Sequence, residues 1–145
     1  MSLVRLSFVL LVTGMSVSAA VGQSSAPGGT DAVPDTVVQR ISTAFQSGNA
    51  QLLLSPSADR VEVSLFGART LYSSAQAFYV LRDFFEAHPP SRFALADTTG
   101  AGTSGFLRGT FVHTRGERSL RVYVRLVRHE DDAWQLHEVR IGAGE

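Results

Sequence analysis

The hydrophobic period of this chain changes for good at His88-Pro89-Pro90. Upstream, apolar residues mostly recur every three to four positions, as on one face of a helix; downstream they recur every second position, as on one face of a strand. Helices crowded into the first half and a strand meander in the second leave few architectures. The order predicts an α+β domain with helices on one face of a bent antiparallel sheet.

The first helix is predicted over residues 33–47. Pro34 suits its first turn, Asp35 sits at the positive end of its dipole, and Val37, Ile41 and Phe45 form its stripe. Gly48 can take the left-handed position that ends it. Asn49 then caps a short second helix through Leu54, and Pro56 stops it. Val61, Val63 and Leu65 alternate with Arg60, Glu62 and Ser64, a strand with Glu62 pointing outward; Gly67 and Ala68 turn the chain back through residues 69–72. Ser73 and Gln76 form a capping box for a third helix over residues 75–87, whose wide apolar stripe reads as a helix held against a sheet.

Four strands are expected after Pro90: residues 92–97, 106–114, 119–128 and 134–141, with Gly100, Gly102 and Gly105 in a loop after the first. Gly109 interrupts its strand as a bulge or close-approach position. Leu120, Val122, Val124 and Leu126 alternate without a fault. In the last strand the inward phase slips between Trp134/Leu136 and Val139/Ile141, which predicts a bulge.

Residues 1–22 read as a signal peptide. Arg5 supplies the positive end, the apolar run from Leu6 to Val17 is short of the roughly 20 residues that span a bilayer, and Ser18, Ala20 and Gly22 offer small residues for cleavage. The expectation is export to the periplasm or beyond, with no stable membrane insertion after cleavage. Residues 23–32 form a polar Gly/Pro linker, and residues 33–143 a single domain. Cleavage after Gly22 leaves 123 of the 145 residues and takes one arginine with it, so twelve cations face thirteen acids. That length buries roughly 65% of its unfolded surface, enough for one core.

Composition excludes several chemistries. All thirteen cations are arginine, so Schiff-base and P-loop lysines are absent; without cysteine there is no thiol catalysis, disulfide or thiolate zinc site. The four histidines lack the i, i+4 spacing of a zinc face, and no metal or cofactor is expected. Near-zero net charge and export argue against nucleic acid. No residue is assigned a catalytic role. Asp97, at a strand end, is the best single candidate for a general base, but a base also needs a desolvated site. His113 and His137 lie on strands that could bring them together. The densest feature is cationic: Arg108, Arg115, Arg118, Arg121, Arg125 and Arg128, opposed locally by Glu117. Arg121 and Arg125 flank Tyr123 on one strand face, a site for a carboxylate or a solvated or dimer-forming surface neutralised by Glu62 and Glu138. Tyr72 and Tyr79 bracket the start of the third helix, where their hydroxyls could reach an internal cavity.

Several short segments, in this order, carry a family likeness. They are Ala44-Phe45 with Gly48-Asn49-Ala50, residues 61–65, residues 72–77 leading to Leu81 and Phe84-Phe85, Gly109, residues 120–124 and residues 139–141. The chain resembles the nuclear-transport-factor-2-like superfamily, the cystatin-like α+β cone, and within it an exported bacterial family of unknown function. The resemblance implies three helices on a strongly bent sheet, a cone-shaped cavity between them, and frequent dimerisation through the outer sheet face. It implies no single activity, because that fold hosts both enzymes and binding modules. Three readings follow: a non-enzymatic domain for a small apolar or carboxylate ligand or a protein partner, an isomerase or dehydratase using the cone, or a structural homodimer.

Overall fold

The computed structural model describes residues 32–116 and 118–144. The signal-peptide reading of residues 1–22, the linker up to Asp31, and Glu117 lie outside the described residues.

Among the described residues, three helices form where their end signals place them. Helix α1 spans Asp35–Ser47; Pro34 precedes it, its carbonyl accepting from the N–H groups of Val37 and Val38. Gly48 ends the helix at φ +65°, its N–H donating to the Ala44 carbonyl. Asn49 accepts from the Leu52 N–H at 2.9 Å and opens α2, Ala50–Leu53. Both halves of the Ser73/Gln76 capping box are made at the start of α3, Ser74–Ala87.

Among the described residues the strands are β1 Ser57–Leu65, β2 Ala68–Ser73, β3 Pro90–Ala101, β4 Ser104–His113, β5 Leu120–Arg128 and β6 Trp134–Ala143. They form one sheet in the order β2-β1-β6-β5-β4-β3. Four of its five pairings are antiparallel. The β1–β6 pair is parallel, so β1 runs with β6 and the sheet is mixed at that seam. A parallel pair needs a crossover. The chain between β1 and β6 supplies it, by way of α3 and the meander.

The expected Gly100–Gly105 loop is a tight hairpin instead. Strands β3 and β4 run to Ala101 and Ser104, and Gly102, at φ +59°, turns the chain with Thr103. Gly105 is not a loop residue: a Cβ there would run into Val33 and Trp134, so glycine is required by packing. Of the register shifts in the sheet, two bear on the outer face near its centre. Ala96 is extra between the Leu95–Gly109 and Asp97–Arg108 pairs, and His137 is extra between Leu126–Leu136 and Arg125–Glu138. The second is the slip expected in the last strand. Such insertions raise local twist and curl a sheet around what lies against it.

What lies against it is aromatic. Phe45 of α1 is fully buried; its ring stacks on Phe93 at 5.0 Å and meets Phe85 and Phe111 edge-on at 5.8 and 6.3 Å. Leu53, Ala77, Leu81 and Phe84 complete the helical side, and Val61, Val63, Leu107, Val122, Val124, Leu126, Val139 and Ile141 the sheet side. Each such aromatic contributes about 2–3 kcal/mol by burial, and each ring pair about 1 kcal/mol more. The expected cone is present as a shape, and side chains fill it.

Gly109 lies against this cluster: a Cβ would come within 2.6 Å of the Phe93 ring and 2.8 Å of the Ala94 carbonyl oxygen. Backbone cannot rotate aside as a side chain can. Gly109→Ala is expected to lower unfolding free energy by about 1–3 kcal/mol, read as a shift in urea midpoint at unchanged slope; an unshifted midpoint would show that β3 yields freely.

Candidate functional site

With the inner face filled, chemistry-bearing residues collect on the outer face of the sheet, the side away from the helices. Period-2 alternation puts them there: on β5 the buried Leu120, Val122, Val124 and Leu126 alternate with Arg121, Tyr123 and Arg125. Register then aligns them in rows across the strands. One row reads Asp97, Arg108, Tyr123, Arg140, Ser64, Arg69. The row on one side is Phe106, Arg125, Glu138, Glu62, Leu71. On the other side it is Thr110, Arg121, Gly142.

Glu138 is the electrostatic centre of this face. It is 5% exposed, and with Ser64 it makes up the buried polar residues among those described. Arg125 Nε donates to its Oε2 at 3.3 Å and Arg140 Nε donates to its Oε1. Glu62 lies directly across the parallel seam and pairs with Arg69 at 3.1 Å. Burial by itself would raise the Glu138 carboxyl, but the hydrogen bonds from Arg140 and Arg125, with Glu62 alongside, hold it below the usual carboxylate range. Tyr123 is pushed up, by burial first and then by Glu138, with the neighbouring arginines pulling the other way. Its phenol is therefore a neutral donor near pH 7. The Arg140 guanidinium sits 5.1 Å from the Tyr123 ring, and the Phe106 ring lies 5.9 Å away on the other side.

Asp97, the favoured base, belongs to this surface and not to the cone. Arg108 holds it with two hydrogen bonds, Nε to Oδ1 at 3.0 Å and Nη2 to Oδ2 at 2.7 Å. Such a bidentate pair fixes an ionised carboxylate. The bulge at Ala96 explains the placement, since one extra residue changes which face Asp97 occupies.

A hollow of about 430 Å³ opens between the central row and the Gly142 row, lined by Arg108, Thr110, Arg121, Tyr123, Arg140 and Gly142 among others. The space beside Gly142 is open: nothing lies within 4 Å of where its Cβ would stand. Among the described residues other hollows exist, but the one beside Leu54, Ala75 and Phe78 offers no charged group, and the one around His129 to Asp131 is lined largely by a surface turn.

The sequence-derived candidates divide. Arg121, Tyr123 and Arg125 share the outer face as expected, with Arg121 and Tyr123 at the hollow and Arg125 engaged by Glu138. Tyr72 and Tyr79 do not line the outer hollow. Tyr72 packs on the inner side opposite Val61, against the filled core. Tyr79 is 55% exposed and carries the Arg82 guanidinium 4.9 Å from its ring centre. Helix α3 turns Ala77, Leu81, Phe84 and Phe85 inward, which puts Tyr79 outside. The arginine cluster does not act as one group, since Arg128 lies on the opposite face beside Trp134. His113 meets His88, with ring centres 4.8 Å apart, and His137 stacks near His129 at 6.0 Å, so His113 and His137 do not pair. No group of three metal-ligating side chains forms among the described residues. Burial of Glu138 was not anticipated; the phase slip beside it was the available signal.

Residues 38–142 match the family described as "Domain of unknown function (DUF4783)". Solved structures are similar. A DUF4783 family protein from Bacteroides ovatus aligns with a TM-score of 0.70 and 24% identity, over 79% of this chain and 98% of that one. A protein of unknown function from Shewanella baltica, called NTF2-like, gives 0.58 and 13% over 77% and 90%. A putative ketosteroid isomerase from Shewanella frigidimarina gives 0.62 and 16% over 79% and 98%. No curated protein matches. At these identities the structural likeness establishes the fold alone.

The depressed Glu138 carboxyl contributes stability that is present above its unfolded value, near 4.5, and lost as pH falls through its lower folded value. Glu138→Gln is expected to cost about 1–3 kcal/mol at pH 7 and to lessen the fall in stability on acidification below pH 4.5. Urea titrations of both proteins from pH 7 to pH 3 check this, and parallel pH profiles would exclude Glu138 as the source.

Proposed function

The chain belongs to the DUF4783 family and has a nuclear-transport-factor-2-like fold, and from that premise we propose a non-enzymatic binding domain, exported from the cytosol, that works from the outer face of its sheet. The observation that carries this reading is the contrast between the two faces. The cone is packed with Phe45, Phe85, Phe93 and Phe111, whereas the opposite face presents an ordered array of arginines, a tyrosine and an open hollow. A small-molecule site needs a concavity with a few convergent polar groups, and the outer face offers both.

An isomerase or dehydratase working in the cone is the weaker reading. Proton transfer at a carbon acid needs a carboxylate or imidazole poised in a desolvated site. The buried carboxylate here faces outward and is held by two guanidinia, and Asp97 is paired with Arg108. The similarity to a putative ketosteroid isomerase carries the fold and not the reaction. A homodimer through the same face is favoured by the half-buried Phe106–Tyr123 pair and by Leu71, exposed at the end of the Glu138 row. Export is supported by the charge, apolar run and small residues of segment 1–22.

Native mass spectrometry of the protein purified from its host tests these points together. The expected result is a chain beginning at Val21 or Gln23, carrying a retained small molecule or a partner on the outer face. If the partner is a second copy, Tyr123→Glu should yield a monomer by light scattering. A full-length, unliganded monomer would overturn the reading.

A further inference from the structure

Resting on the outer-face reading, the geometry points to a ligand class: we infer that the hollow beside Gly142 takes a small monocarboxylate with a compact apolar body. The head of such a ligand would meet the central row. Glu138 engages Arg140 only through Nε, and Asp97 engages Arg108 through Nε and Nη2. Both Nη groups of Arg140 and the Nη1 of Arg108 therefore remain to donate, on either side of Tyr123 in the same row. A planar fork of guanidinium donors matches a carboxylate, and the Tyr123 hydroxyl adds a neutral donor between them. Thr110, in the adjacent row, brings a second hydroxyl to the rim.

The floor selects the body. It is made by Val122, Ile141 and Gly142 on β5 and β6. The side chains of Val122 and Ile141 point into the core, so what they present here is main chain. These strands lie in the sheet interior, and their peptide groups are spent on ladder bonds to neighbours on both sides. The floor thus offers no free donors, which suits an apolar body better than one that must be hydrogen-bonded. Charge sets the head. The Nη groups left over on Arg108 and Arg140 favour one anionic head, while Asp97 and Glu138, already paired with those two arginines, work against a second negative charge. A monocarboxylate meets both conditions better than a phosphate dianion.

The test uses the protein purified from its host and calorimetric titration at pH 7 with sodium benzoate, benzamide and inorganic phosphate. Benzamide has the shape of benzoate without its charge. Benzoate is expected to bind at least about tenfold more tightly than benzamide or phosphate, the scale of one charge-assisted bidentate contact. Arg108→Gln should weaken benzoate about tenfold or more. Gly142→Phe, whose ring has open space to enter, should abolish binding with little change in Tm. Equal binding of benzamide and benzoate, preference for phosphate, or benzoate binding that survives Gly142→Phe would each overturn the inference. If benzoate is inert and Gly142→Phe converts a dimer to a monomer, a second copy fills the hollow: the ligand class falls and the outer-face reading stands. If no probe binds and neither Gly142→Phe nor Tyr123→Glu changes the mass, both fall.

Discussion

The structure depends on the packing of Phe45 between α1 and the curled sheet. Its ring touches one aromatic from α3 and one each from β3 and β4, so a single side chain joins elements far apart in sequence. This arrangement decides where function can reside. A cone of this kind is hollow only if its lining residues are small or retreat from its axis. Here Phe85, Phe93 and Phe111 lean toward Phe45, dispersion and burial favour contact, and the interior is packed with their rings. The charged and aromatic side chains with an open hollow beside them stand on the other side of the sheet.

That other side is organised by register. A strand exposes every second residue, and cross-strand pairing turns those residues into rows. The Glu138 row shows the consequence. Two carboxylates face each other across the parallel β1–β6 seam, a juxtaposition that would repel if unaccompanied. Arg69, Arg125 and Arg140 accompany it, and the result is a buried carboxylate with hydrogen bonds from both flanks. Buried ion pairs of this type add little net stability compared with apolar packing, but breaking one leaves an uncompensated charge. Register, set by the apolar alternation of the strands, is what places Arg108, Tyr123 and Arg140 side by side.

The two bulges were unequally legible. The slip in β6 is visible because Trp134 and Leu136 differ in phase from Val139 and Ile141, and apolar side chains report the face they occupy. The Ala96 bulge is silent, because alanine and its neighbours carry too little apolar contrast to mark a face, so the face that Asp97 occupies is not legible in the sequence. The Gly100–Gly105 segment failed for a related reason. Glycine serves loops and close approaches equally well, and only the neighbours of Gly105 tell the two apart.

The sequence by itself determined the elements. Helix ends, strand alternation and the α+β order follow from local rules: caps satisfy nearby backbone groups, and apolar period distinguishes helix from strand. The family likeness rests on the same local segments. Tertiary structure alone decided that aromatic side chains pack the cone, that Tyr79 turns outward, that β1 and β6 run parallel, and that Glu138 is buried. Each of these depends on which residues meet across large separations in the chain. Local patterns report the face a residue prefers, and not what the fold brings to stand opposite it.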